Sequence, residues 1–388
     1  MPEICELCQS DALEPVYAPE RSLRGLCVHL CRHCGLVQSL PRADRAPRRA
    51  AAVSGGADWG NVRYGKGFRT AIALAALHRY VDETLPFSLL DVGSNRGSFV
   101  RALSAAMRGA EITAVEPDER VAQSCQGIAE LIVARIEDCA LESGRFDVVH
   151  SCHTLEHVAH PGRVLADHWR VLRDGGLLIL DVPNLAILGA DDIVEEWFID
   201  KHLYHFSART LTRLVEAAGF EILEAPDEAD RANLFLVARK AERCQPAIER
   251  DGAEVRQARG LIARYAPARA RNLEALKTVA GEIKALAPLG VAMWGAGRIF
   301  DSLVVHGGFD PKMLRLLIDT HLKAHVGERY GCALSGPEAL ADADPGVIVV
   351  MSRSFAAEIE ARARTLAPRA RILHFAELLS RARLRLAA

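Results

Sequence analysis

The sequence predicts an α/β protein with three folded parts: a small cysteine-held knuckle, a central, mostly parallel sheet, and a smaller second α/β sheet. Three observations carry that prediction. Two Cys-x-x-Cys pairs fall within the first 40 residues. A short apolar strand, a glycine turn and an amphipathic helix follow one another in "FSLLDVGSNRGSFVRALSAA". The same succession returns in "LGVAMWGAGRIFDSLV" near the C-terminal end. Strands alternating with helices imply parallel sheets with helices packed on them. At 388 residues the chain exceeds one ordinary core, so two or three domains are expected.

Composition narrows the class of function. Half of the chain is hydrophobic, a quarter is charged, and the formal net charge is −2. That balance is ordinary for a globular protein and gives no global case for a polyanion partner. The N-terminal residues lack the basic and apolar regions of a secretory leader, and no run of about 18 apolar residues suggests a membrane span. Ten cysteines without a leader point to a reducing compartment, where Cys-x-x-Cys holds metal or does redox chemistry. A cytoplasmic protein with neither a membrane nor a nucleic-acid partner is expected.

Residues 1–45 carry the first element. Cys5, Cys8, Cys31 and Cys34 are spaced as two ribbon knuckles. Four thiolates satisfy a tetrahedral Zn²⁺, and each two-residue spacer lets a tight turn present both sulfurs to one ion. The ion makes a segment too short to build a core fold. Cys27 and His29 are lesser rivals for one ligand position. A redox pair would need a strand-to-helix context that neither pair has. Arg42, Arg45, Arg48 and Arg49 are diluted by Ala, Pro and Asp and read as a solvated linker.

Residues 60–240 form the central domain. The first strand, Ser88 to Val92, contains Asp91 and runs into Gly93-Ser94-Asn95-Arg96-Gly97 and a helix. Glycines there let the backbone approach a ligand, and the helix start offers unpaired N–H groups. The second strand, "EITAV", leads into Glu116, where a carboxylate can accept from both hydroxyls of a ribose. No Gly-Lys-[Ser/Thr] follows the glycines, which excludes a P-loop. "LIVA", "FDVVHSC" and "LLILDVP" continue the strands, with a helix and a Gly-Gly turn before the last. "FEILEA" and "ANLFLVARK" close the sheet without a helix between them.

Together, "LLDVGSNRGSF", "AVEPDE", "FDVVHSCHTLEHV" and "RVLRDGGLLILDVPN" resemble a class I, Rossmann-like S-adenosylmethionine (SAM)-dependent methyltransferase over residues 87–240. The resemblance implies that Asp91, Gly93, Ser94, Asn95 and Gly97 face the methionine half of SAM. It implies that Glu116 holds the ribose beside Pro117, that Ile136 with Glu137 or Asp138 flanks the adenine, and that His153 lines the floor near the sulfonium.

Candidates for chemistry lie in "WFIDKHLYHFSARTL". His202 is a natural general base, with Tyr204 and His205 close by and Ser207 as the cap of the next helix. Tyr64, in "NVRYGKGFR", is a candidate lid residue over the cofactor. Glu156 and His157 are read as structural.

Residues 245–287 read as a charged, amphipathic helical connector broken at Pro267. Residues 288–388 read as the smaller Rossmann-like domain. Phe300 stands where the dinucleotide fingerprint has its third glycine after Gly295-x-Gly297, which argues against a separate NAD site. A phosphate could still sit at that helix start.

A four-cysteine knuckle, a SAM domain, a helical connector and a degenerate βαβ tail, in this order, resemble the zinc-containing sugar C-methyltransferases. That resemblance implies transfer of methyl to a small-molecule substrate, a nucleotide-linked sugar, at carbon or oxygen, by a monomer or homodimer. Ile199-Asp200-Lys201-His202 stands where the family has Tyr-x-Glu-His, so Asp200 or Tyr204 would have to compensate. Two other readings are an RNA or protein methyltransferase docked through the knuckle, and a non-catalytic SAM- or sugar-nucleotide-binding partner.

Overall fold

The computed structural model describes residues 3–20, 22, 25–41, 67–242, 247–324, 326–353 and 355–387. Tyr64, the four linker arginines and Cys244 lie outside the described residues. The described residues divide into two compact units, one within residues 3–41, 67–189 and 196–264, the other within residues 190–195 and 265–387.

The first unit opens with three antiparallel strands, β1 (Leu13–Tyr17), β2 (Cys27–Cys31) and β3 (Val37–Leu40). Val28 and Leu30, two apart on β2, are both fully buried, as the period of a half-covered strand requires. Then come α1 (Gly67–Tyr80), β4 (Phe87–Val92), α2 (Ser98–Ala106), β5 (Ala110–Val115), α3 (Glu119–Ala122), β6 (Glu130–Ile132) and β7 (Phe146–Cys152). They are followed by α4 (Pro161–Val171), β8 (Leu172–Pro183), β9 (Tyr204–His205), α5 (Ala208–Ala217), β10 (Phe220–Glu224) and β11 (Asn233–Lys240).

The seven-stranded sheet has the order β10-β11-β8-β7-β4-β5-β6. Only β11 runs against the other strands, pairing antiparallel with β10 on one side and β8 on the other, as the missing helix between β10 and β11 demands. Apolar runs mark these strands because both faces are covered. Leu89 faces a cluster with Leu77, Phe99 and Leu103 from α1 and α2, while Leu90 faces Leu165, Leu155 and Phe206 on the other side. Burying each such leucine contributes about 1.5–3 kcal/mol. Strands after β4 build outward to β6 on one side, then β7 and β8 build on the other. The chain therefore switches direction at β4, and the crevice beyond the carboxyl ends of β4 and β7 is where such sheets bind ligands.

β9 does not join that sheet. It pairs antiparallel with β3, placing His205 opposite Val37 and Tyr204 opposite Gln38. Ser39 Oγ and His205 Nε2 lie 2.9 Å apart, and the Ser39 N–H donates to the Leu203 carbonyl at 2.8 Å. The cysteine-bearing sheet thus holds the segment that contains His202. Ser207 caps α5 as expected, in a reciprocal box with Thr210.

α6 (Gly252–Ala285) begins in the first unit and ends in the second. The expected break at Pro267 does not occur, since the helix runs through it. The lost N–H donor is outweighed by burial on both sides, by Ala258 and Ile262 before it and by Leu276, Val279 and Ile283 after it.

The second unit continues with β12 (Val291–Trp294), α7 (Arg298–Val305), β13 (Leu316–Ile318), β14 (Glu328–Arg329), β15 (Cys332–Ser335), α8 (Ala339–Ala343), β16 (Val347–Val350), α9 (Ala356–Leu366), β17 (Arg371–His374) and α10 (Phe375–Ala387). Its sheet has the order β14-β15-β13-β12-β16-β17, parallel except for β14. Met293, Phe300, Leu303 and Val349 pack with the second half of α6. Arg353 clasps the 190–195 segment, donating to Asp192 Oδ2 and Glu195 Oε1, each at 2.7 Å. No helix among the described residues is long and apolar enough to cross a membrane.

Candidate functional site

The turn after β4 is built around one acid. The Glu116 carboxylate is fully buried and accepts the Asn95 N–H at 2.9 Å and the Asp118 N–H at 3.1 Å. A carboxylate offers only acceptors, the chemistry that the hydroxyls of a diol require. The Gly93 and Ser94 N–H groups both donate to the Val115 carbonyl, tying the turn to the end of β5. Gly93 has φ +76°, and a Cβ there would stand 2.1 Å from Thr154 Oγ1. No larger residue fits that close approach.

Asp91 is buried and its Oδ1 accepts from His150 Nδ1 at 2.7 Å. The His150 ring stacks on Phe99 at 3.9 Å. Asp91 Oδ2 and Asn95 Oδ1 are buried without a hydrogen-bond partner. Two orphaned acceptors beside a cradled carboxylate suit a ligand that carries an ammonium and a ribose, which is the chemistry of SAM. Gly97 starts α2 at φ +67°, Pro117 follows Glu116, and Ile136–Asp138 form a 3₁₀ turn after β6 with Ile136 buried.

The floor is made by the turn after β7. His153 sits in left-handed backbone at φ 52°, and its N–H donates to the Asp181 carbonyl at 2.7 Å. Asp181 is itself ion-paired with Arg69 of α1, a long-range pair that no local pattern announces. His153 Nδ1 and His157 Nε2 each lie 3.4 Å from Glu156 Oε1. His202 joins them, with its ring 4.9 Å from that of His157 and one donor atom within 4.8 Å of those of Glu156 and His157. Burial pushes the Glu156 carboxyl up, but His157 and His153 outweigh it and hold it at about 2. Burial likewise draws His205 down to about 3.

Tyr204 requires a correction. Its side chain is 1% exposed and its hydroxyl donates to the Ala159 carbonyl at 2.6 Å. A phenol committed to a main-chain acceptor inside the core holds the loop and does not meet a substrate. Asp200 accepts from Ser22 Oγ at 2.5 Å. Tyr64 lies outside the described residues.

The four cysteines converge. Cys5 and Cys34 sulfurs lie 3.5 Å apart, as do those of Cys8 and Cys31, and all four fall within 4.8 Å of one another. Both knuckles repeat one backbone pattern. Cys5 N–H donates to Ser10 O and Cys31 N–H to Leu36 O, while Gln9 and Gly35 N–H return to the Cys5 and Cys31 carbonyls. Sulfurs about 2.3 Å from a tetrahedral ion would stand roughly 3.8 Å apart, so the donor set and spacing fit zinc. The Cys34 sulfur draws the Cys31 thiol down, and Cys31 pushes the Cys34 thiol up, so the four sulfurs are strongly coupled. Cys27 and His29 stand apart: Cys27 Sγ points to the Tyr17 carbonyl and His29 Nδ1 to the Cys27 carbonyl.

A depression of about 550 Å³ lies at the opposite ends of the strands, lined by Ser88, Ala110, Glu130 and Arg145. None of the residues above borders it, so it is not the site.

Residues 64–225 match the profile of a family described as a methyltransferase domain. A methyltransferase of Mycobacterium sp. (strain JLS), itself named as uncharacterized, is 35% identical over 116 residues, 29% of this chain and 45% of that protein. A ubiquinone biosynthesis O-methyltransferase of Thiobacillus denitrificans is 27% identical over 166 residues, covering 38% and 71%. A malonyl-[acyl-carrier protein] O-methyltransferase of Pseudescherichia vulneris is 37% identical over 142 residues, covering 35% and 55%. The chain spans between 45% and 71% of the length of these curated relatives. A solved SAM-dependent methyltransferase from Mesorhizobium loti aligns with a TM-score of 0.35 at 16% identity, over 42% of this chain and 96% of that one.

Proposed function

We propose that this chain, whose central region is a class I SAM-dependent methyltransferase domain, methylates a nucleotide-linked sugar or a similar small metabolite, with structural zinc in its N-terminal sheet. The observation that supports this most is the meeting, at one end of one sheet, of the acid-held glycine turn and the His202 segment. SAM would supply the methyl group as an electrophilic sulfonium. Glu116 would accept the ribose hydroxyls, the Gly93–Gly97 turn would hold the methionine half, and Ile136 and Glu137 would border the adenine. His153 would line the floor.

The chain's part in the reaction is then to orient the acceptor and take its proton. His202 is the base in this reading, which contributes about 10²–10⁴-fold, with alignment and exclusion of water adding to it. Oxygen is the proposed acceptor atom on two grounds. Two relatives are O-methyltransferases by name, and Ile199 and Lys201 stand where the C-methylating family has its tyrosine and glutamate. Zinc would fix β2 and β3, and through the β3–β9 pairing the base itself.

The test is S-adenosylhomocysteine release by the zinc-loaded chain across a panel of nucleotide sugars. His202→Ala should lower kcat at least 100-fold and leave S-adenosylhomocysteine affinity unchanged. Turnover within a few-fold of wild type would remove the base role. If S-adenosylhomocysteine binds and no nucleotide sugar does, the sugar reading is lost.

A further inference from the structure

We propose that Glu156, His157 and His202 form a second metal site, for a divalent first-row cation held by one carboxylate and two imidazoles. Three observations carry it. The Glu156 side chain is 1% exposed, and neither carboxylate oxygen has a hydrogen-bond partner. A buried carboxylate without donors is costly, and a bound cation removes that cost.

The second observation is the tautomer of His157. Its Nδ1 lies 2.7 Å from the Lys201 carbonyl, which can only accept, so Nδ1 carries the proton. In the neutral ring the Nε2 lone pair then faces Glu156 Oε1 across 3.4 Å. Two acceptors pointed at each other in a buried place call for a cation between them. A histidine whose far nitrogen donates to a main-chain carbonyl is also the usual posture of a metal ligand.

The third is spacing. Ligands about 2.1 Å from a tetrahedral ion stand roughly 3.4 Å apart. The Glu156–His157 separation has that length, and the donor atoms of Glu156, His157 and His202 all lie within 4.8 Å of one another. Two histidines and one carboxylate suit Zn²⁺, Fe²⁺ or Co²⁺ and leave positions open for an oxygen ligand. The site's role rests on the methyl-transfer reading and replaces the base role of His202 within it: with that imidazole coordinated, the open positions would take the acceptor oxygen and lower its pKa, and its proton would pass to water. The site itself does not depend on that reading.

The alternative is that a protonated His157, or His153 with its Nδ1 at the same 3.4 Å, pairs with Glu156 unaided, and counting metal separates these from the metal site. The full chain is equilibrated with Zn²⁺ or Co²⁺, desalted, and its metal measured by atomic emission. Wild type should hold two equivalents. Glu156→Gln and His202→Asn should each hold one and keep the intense sulfur-to-cobalt charge-transfer band of the four-cysteine site. One equivalent in wild type, or two in both variants, overturns the proposal. Should Glu156→Gln fail to fold, the partly exposed His202 gives the deciding variant. Two equivalents without turnover on any acceptor would support the metal site and count against the sugar reading. Turnover with one equivalent would do the reverse.

Discussion

The two parallel sheets of this protein carry the same device and use it differently. In the first unit a glycine turn after β4 is held by the acid that follows β5. In the second, Gly295 follows β12 and Asp319 follows β13, with Asp319 Oδ2 accepting the Ala296 N–H at 3.0 Å. The difference lies in what is left over. Beside Glu116 the buried Asp91 Oδ2 and Asn95 Oδ1 have no hydrogen-bond partner, whereas the Asp319 carboxylate is turned onto its own turn, accepting the His321 and Leu322 N–H groups as well. The first turn spends five residues, Gly93 to Gly97, before its helix, and the second only three. Phe300 fills the core where the fingerprint wants a glycine. One turn keeps room for a ligand, and the other has been absorbed into packing.

The largest effect should fall on the first unit alone. Stripping metal from the four cysteines removes a binding energy on the order of 10 kcal/mol from that unit's folding. Hydrogen exchange should show β2, β3 and β9 losing protection while β12 and β16 keep theirs. Equal losses in both sheets would erase the contrast.

The acids come next. Glu116→Ala should weaken S-adenosylhomocysteine about 100-fold, since charge-assisted hydrogen bonds contribute about 1.5–3 kcal/mol each. Asp319→Ala should leave it unchanged by calorimetry. An effect of Asp319→Ala on that affinity would mean the second turn is not closed.

Acid should divide the units too. His168 is 1% exposed with neither ring nitrogen paired, and burial lowers its pKa to about 4. The unfolded chain therefore binds the extra proton between pH 6.5 and 4. That stability is present above pH 6.5 and lost as pH falls toward 4, on the order of 3 kcal/mol. The described histidines of the second unit, His306, His321 and His374, are none of them buried. Melting followed against pH should show the first unit sensitised across this window, and His168→Leu should flatten the slope.

The smallest effect belongs to the second unit. Arg353→Ala leaves Asp192 and Glu195 without their guanidinium, at a cost of roughly 2 kcal/mol given partial exposure. It should appear in the second unit's transition and leave cofactor binding alone.

Much of this was legible in the sequence because its signals are local. The Cys-x-x-Cys spacing, the strand–glycine–helix run at 88–106 and the acid at Glu116 each lie within one or two elements. The cluster of Glu156, His157 and His202 was not legible as a cluster. Its members are brought together by His157 Nδ1 meeting the Lys201 carbonyl and the Leu203 N–H donating to the Glu156 carbonyl, contacts that no periodicity reports. Tyr204 misled because aromatic residues near histidines look chemical, while its place was decided by burial and one carbonyl. Pro267 misled for the converse reason: a local breaker was overruled by packing along α6.

The strand pairing that steadies His202 also sets an order of events during synthesis. Ser39 and His205 are 166 positions apart. The nascent cysteine sheet therefore leaves the ribosome long before its fourth strand exists, with the edge of β3 open to any other chain. Metal captured early would twist and stiffen that edge while it waits. With zinc in the four-cysteine site as proposed, its supply at translation would set how much of the chain reaches the paired state.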